Sequence, residues 1–248
     1  RFGWQLKANY QKLRFSPDTG KKELLVINSN GFRGQEFNIQ KSKETIRIIM
    51  MGDSVTFGIT PESCPYSAQL QKLFDKKYPD KFEIINAGVE GYSSEYVLKR
   101  LKYDILQYKP DIITIYVGWN DLYSINPVSP WSYKKLSSLA NFLNKSYIYK
   151  GSRKFIFLVL KPKIETFLPR DISKKDVETY QNFESEIYKD NLKKIIKTCQ
   201  ENNIKIILIN LASILSDEIS PEAIKKVHYP YFSSDIEKLK ILQQNYNN

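Results

Sequence analysis

Histidine occurs once in this 248-residue chain, as His228, and cysteine twice, as Cys64 and Cys199. So few soft ligands cannot assemble a common zinc site, which takes about four cysteine and histidine side chains. Carboxylates alone can hold calcium or magnesium, but the sequence contains no EF-hand-like loop. The chain is therefore expected to need no metal and no organic cofactor. Long apolar runs are missing too: the longest, 155–160, falls far short of the ~20 residues that cross a bilayer as a helix. There is no internal repeat and no low-complexity tract. The 38 basic residues outnumber the 27 acidic ones, giving a formal charge of +11. They are dispersed, with no basic block and no recognised nucleic-acid motif, so the excess reads as solvated helix surface and no nucleic-acid partner is expected. The sequence starts at Arg1 rather than Met. That leaves room for an upstream membrane-associating segment, and slightly favours an extracytoplasmic or membrane-anchored setting. Cysteine usage does not fix the compartment, since a buried free thiol at Cys199 and a Cys64–Cys199 disulfide both fit.

Hydrophobic residues make up 42% of the chain, enough for a substantial core. Residues 1–44 are largely polar and irregular, with one apolar run at 24–27, and read as an N-terminal flap with at most a short strand. A regular alternation begins at Thr45. Runs rich in isoleucine at 45–51, 82–85, 112–117 and 204–209 read as buried strands. Between them, 65–78, 94–108 and 175–202 carry apolar residues at helical spacing. A further helical pattern covers 234–246. Strands alternating with helices predict a parallel sheet covered on both faces, within one domain spanning 45–248. The stretch 122–174 is too long for an ordinary connection. It contains nine aromatic residues, among them Trp131, Tyr133 and Phe142. It leaves the sheet just after Asn120 and is expected to form a cap that selects the substrate.

In such sheets functional residues lie beyond the carboxyl ends of the strands. The first strand runs into Gly52-Asp53-Ser54, the second into Gly88-Val89-Glu90-Gly91, and the third into Gly118-Trp119-Asn120-Asp121. Ester cleavage by a covalent route needs a nucleophile and donors aimed at the developing oxyanion. Ser54 on a glycine-flanked turn supplies the first. A backbone N–H at Gly91 and the side-chain amide of Asn120 supply the second.

These three blocks resemble those of the SGNH, or GDSL-type, hydrolases, over about 45–209. The third block, Gly118 to Asp121, matches the family's Gly-x-Asn-Asp in full. The resemblance implies a flavodoxin-like, doubly wound parallel sheet of about five strands. It also implies a Ser-His-Asp mechanism on esters, thioesters or acylated sugars. The implied roles are Ser54 as nucleophile, with its own N–H, the Gly91 N–H and the Asn120 amide as oxyanion donors. Asp53 would orient the turn. The expected partner is a small-molecule ester or acylated glycan; the oligomeric state is not readable. The Gly-x-Ser-x-Gly elbow of α/β-hydrolases does not fit, because Thr56 stands at the second glycine.

The family's fourth block, Asp-x-x-His, is missing. Lys225 stands three residues before His228, and His228 precedes the last helical pattern rather than following a fifth strand. The expectation is a chain that ends before the last strand of the sheet and its base. A natural pseudoenzyme that binds glycans is the alternative, and an acyltransferase is a further one. An Asp-x-x-His within roughly the next fifty residues of the reading frame would favour the enzyme.

Overall fold

The computed structural model describes residues 4–15, 20–58, 65–122, 186–212 and 244. Beyond Leu122, the stretch expected to form a cap lies outside the described residues. So do Cys64, His228, the first half of the helix expected at 175–202 and, apart from Gln244, the one at 234–246.

Among the described residues the elements run as follows. A hairpin, β1 (Tyr10–Phe15) and β2 (Lys22–Ile27), precedes β3 (Ile46–Gly52), the one-turn helix α1 (Ser54–Phe57) and α2 (Tyr66–Lys77). Then come β4 (Phe82–Gly88), α3 (Ser94–Tyr103), a 3-10 turn (Ile105–Tyr108), β5 (Ile112–Tyr116), α4 (Trp119–Leu122), α5 (Glu186–Glu201) and β6 (Lys205–Leu208). The last four strands form one parallel sheet in the order β4-β3-β5-β6. This is a flavodoxin-like α/β fold, with strand order matching 2-1-3-4 of the doubly wound pattern.

The sheet forms where the isoleucine-rich runs predict it, because β-branched residues suit a pleated surface. But β6, expected to be buried, leaves Lys205, Ile207 and Leu208 exposed, since among the described residues it is paired only with β5. In β3 all six residues from Arg47 to Gly52 are buried. Consecutive burial in a strand requires cover on both faces, since alternate side chains point opposite ways. The core joins Ile49, Met51, Ile85, Ile113 and Ile115 of the sheet to Val97 and Leu101 of α3 and to Ile195 and Cys199 of α5. Cys199 is a free, buried thiol. Burial pushes its pKa up to about 11, so it stays protonated and unreactive.

Two further local features differ from the sequence pattern. The helix expected over 94–108 stops at Tyr103 and resumes as a 3-10 turn, with Asp104 outside the helical range at φ −133° and ψ −50° and Lys109 left-handed at φ 49°. Arg100 Nε donates to Asp104 Oδ2 across the end of the helix (3.1 Å). The N-terminal residues hold an antiparallel hairpin pairing Leu13 with Leu24. A single antiparallel bridge, Arg33 to Asn86, joins this region to the outer edge of β4. Arg47, fully buried, ties the segment before β3 to the sheet. Its guanidinium donates to Glu83 and to the carbonyls of Asn38, Ile39 and Tyr108.

Candidate active site

The sheet places β4 on one side of β3 and β5 on the other, so the connections leaving β3 and β5 diverge above the end of β3. That crevice is the usual ligand position in a doubly wound sheet. Register sets Gly52 opposite both Gly88 and Tyr116, so the three strands finish level. Asp53 then turns the chain from strand to helix. It is the N-cap of α1, at φ −96° and ψ −150°, and its Oδ1 accepts the Val55 N–H at 2.9 Å. Ser54 is the first residue of the helix and half-buried.

α1 lies directly on the end of β4. A Cβ at Gly88 would stand 2.2 Å from Phe57 N and 2.6 Å from Thr56 C, so only glycine admits this approach. The carbonyls at the end of α1 have no partner within the helix and are satisfied from outside. Asn86 Nδ2 donates to Thr56 O (2.8 Å), and the Arg33 guanidinium donates to Phe57 O (2.5 Å). The Asn86 side chain also bonds the Ser67 hydroxyl (2.9 Å) and accepts from Gly88 N–H (3.0 Å).

The second and third blocks meet beside this turn. After β4, Val89 N–H donates to Gly52 O (3.1 Å), and Tyr92 N–H closes a tight turn on Val89 O (3.2 Å) with Gly91 at φ +80°. Asn120, in α4, donates from Nδ2 to Tyr92 O at 2.9 Å. An amide carries two hydrogens, so this bond fixes the side chain and leaves one donor to give. Among the described residues, the backbone N–H groups of Ser54 and Gly91 have no acceptor. The three strand ends thus offer a hydroxyl and three neutral donors.

Beneath them lie two buried carboxyls. Burial is the main cause that raises Asp53 to about 6, against the lowering effect of the Val55 N–H and its own N–H. Burial likewise raises Asp121 to about 7, opposed by Ser94 and reinforced by the charge on Asp53. Asp121 accepts from Ser94 N–H (2.9 Å) and from the Ser94 hydroxyl (2.6 Å), and Asn191 Nδ2 donates to that hydroxyl (2.9 Å). This network clamps the starts of α3 and α4 to α5. Tyr188 of α5 donates to Val117 O (3.0 Å). Burial first, then the nearby charges of Asp121 and Asp53, push its pKa well above the ordinary phenol range, so it is a neutral donor.

Residues 50–230 match the GDSL-like Lipase/Acylhydrolase family. The chain belongs to that family. No curated protein matches it closely enough to count as a relative. Among solved structures, a GDSL-like lipase from Bacteroides thetaiotaomicron is 13% identical, with a TM-score of 0.42. The alignment covers 84% of this chain and 63% of that one, so the chain spans less than two thirds of that protein. A psychrotrophic esterase from a Pseudoalteromonas species is 18% identical (TM-score 0.39, 81% of this chain and 73% of that one). A lipase/acylhydrolase from Enterococcus faecalis is 20% identical (TM-score 0.38, 82% and 69%).

The structure brings Asn120 to the turn that carries Gly91, at the strand ends level with the Ser54 turn. Asp53 orients that turn by capping it. Sequence reasoning missed the Asp121–Ser94–Asn191 network and the contacts that residues before β3 make with the site. The adjacent Asn120-Asp121 pair hinted at the first. For the second no signal was available, since partners such as Trp4 and Glu90 are 86 positions apart.

Proposed function

We propose that this member of the GDSL-like family is a serine ester hydrolase acting on an acylated carbohydrate or lipid. Ser54 is the nucleophile, and the N–H groups of Ser54 and Gly91 with the Asn120 amide are the oxyanion donors. The observation that carries the reading is the Asn120–Tyr92 hydrogen bond. It fixes a neutral side-chain donor against the turn holding Gly91, at the strand ends level with Ser54.

In this reaction Ser54 Oγ attacks the ester carbonyl carbon and its proton passes to a general base. The carbonyl oxygen gains the negative charge that the three donors stabilise. The bond to the alcohol then breaks, the alcohol leaves with the proton, and an acyl-Ser54 ester remains. Water attacks that ester, releasing the carboxylic acid and free Ser54. The sequence holds no Asp-x-x-His to supply that base, and its one histidine, His228, lies outside the described residues. Substrate choice is assigned to the stretch 122–174, on its length, its departure from the sheet just after Asn120 and its aromatic content.

The missing Asp-x-x-His supports a second reading, a non-catalytic glycan-binding protein. Turnover of a short-chain aryl ester by the full-length protein separates the two. Hydrolysis that falls roughly 10⁴-fold or more in Ser54→Ala is the expected result. Retained hydrolysis in that variant would sink the assignment of the nucleophile, and no hydrolysis by the wild type favours the binding protein.

A further inference from the structure

The family match begins at residue 50, yet residues before it reach both sides of the crevice. Trp4 lies against the turn that carries Gly91. Its indole Nε1 donates to Glu90 O at 3.1 Å, and the Tyr92 hydroxyl donates back to Trp4 O at 2.5 Å. The residues on either side of Gly91 are therefore both tied to Trp4. The ring packs edge-on to Tyr92 (centroids 5.5 Å apart) and tilted against Tyr96 (4.9 Å). A Cβ at Gly91 would stand 3.1 Å from the indole Cζ2. Arg14, on β1, adds a contact with the Glu90 carboxylate at 3.3 Å. On the other side Arg33 bonds the last carbonyl of α1 and lies over the Phe57 ring, 4.8 Å from its centroid.

We infer that this N-terminal segment is a working part of the site, with Trp4 as a positioning residue for the Gly91 N–H. The inference rests on the proposed role of Gly91 as an oxyanion donor. The physical reason is the geometry of the turn. Gly91 holds a left-handed conformation that other neighbours must fix, because glycine itself has little preference for it. The inner side of the turn is held by Asn120 through Tyr92 O, and the outer side by Trp4 through Glu90 O. Without the outer tie, the Gly91 N–H samples directions away from the oxyanion. Preorganised donors are effective because they need no reorganisation as charge develops. Arg33 performs the matching service for the Ser54 turn, but it is buried, so a change there confounds fold with function.

The test uses the full-length protein with Trp4→Ala, Trp4→Phe and, as reference, Ser54→Ala. Two readouts are taken: kcat and KM on an aryl ester, and backbone amide exchange over residues 89–93. Trp4→Ala should lower kcat roughly 10- to 100-fold with KM within about twofold, the scale of a small misplacement at a reacting centre. Exchange should speed up in 89–93 and stay unchanged in β3 and β5. Trp4→Phe keeps the ring and loses the indole donor, so it should fall between wild type and Trp4→Ala. Unchanged kcat and unchanged exchange in Trp4→Ala, with Ser54→Ala inactive, overturns the brace and leaves the site reading intact. Faster exchange throughout the sheet overturns it as well, since that is general destabilisation. Turnover that survives Ser54→Ala brings down the site reading and the role of Trp4 with it; exchange at 89–93 still reports whether the contact holds the turn.

Discussion

Asp121 makes the stability of this protein depend on pH in a direction opposite to that of an ordinary salt-bridged carboxylate. Its carboxyl is raised from 3.8 to about 7, chiefly by burial. Between those values the folded state binds the proton and the unfolded state does not. Stability therefore falls as pH rises: the contribution is fully present below about pH 4 and is lost as pH passes through 7. The gap of about three pH units, at about 1.4 kcal/mol each, gives roughly 4 kcal/mol. Asp53, raised to about 6, acts in the same direction over a lower window, from about pH 4 to 6. The two are not additive, because the charge on Asp53 is one cause of the shift at Asp121. Asp121→Asn keeps the shape and an acceptor for Ser94 N–H but cannot ionise. In urea unfolding followed by tryptophan fluorescence, the wild type should lose several kcal/mol between pH 5 and 8. The variant should lose less than half as much, and should be the more stable of the two at pH 8. The same pH slope in both proteins would refute the reasoning, since it would mean that Asp121 titrates alike folded and unfolded.

Three further outcomes follow from the site. Asn120→Ala should lower kcat roughly 10²- to 10³-fold with KM little changed, the usual loss for one oxyanion donor; a change confined to KM in steady-state kinetics would make Asn120 a binding residue. Gly88→Ala forces a Cβ to within 2.2 Å of Phe57 N, backbone against backbone, and should cost about 3 kcal/mol or more in urea unfolding. A variant as stable as wild type would mean that α1 does not rest on β4. Overnight dialysis against a chelator should leave ester hydrolysis unchanged; activity lost and then restored by added metal would contradict the metal-free reading.

The core sheet was legible in the sequence because isoleucine-rich runs bounded by turn residues have few other readings. The three strand-end blocks were legible for the same reason: once the strands are placed, Ser54, Gly91 and Asn120 follow from them. The hairpin strand Tyr10–Phe15 was not, since Leu13 and Phe15 are both exposed and no buried alternation marks it. The break at Asp104 was hidden because 94–108 keeps its helical spacing, while the backbone leaves the helical range at Asp104 and turns left-handed at Lys109. Trp4 and Asp121 gain their roles from partners distant in sequence, Glu90 and Ser94, to which no local pattern points.

The central claim is that Ser54 carries the acyl group. It is tested most directly by quenching the full-length protein in acid during turnover of an aryl acetate and mapping the adduct by mass spectrometry. Trypsin releases Ser54 within the peptide 48–72, bounded by Arg47 and Lys72. An acetyl increment on that peptide, placed on Ser54 by fragmentation and absent from Ser54→Ala, is the expected result. Steady turnover with the acetyl group on another residue, or with the same adduct in Ser54→Ala, would contradict it.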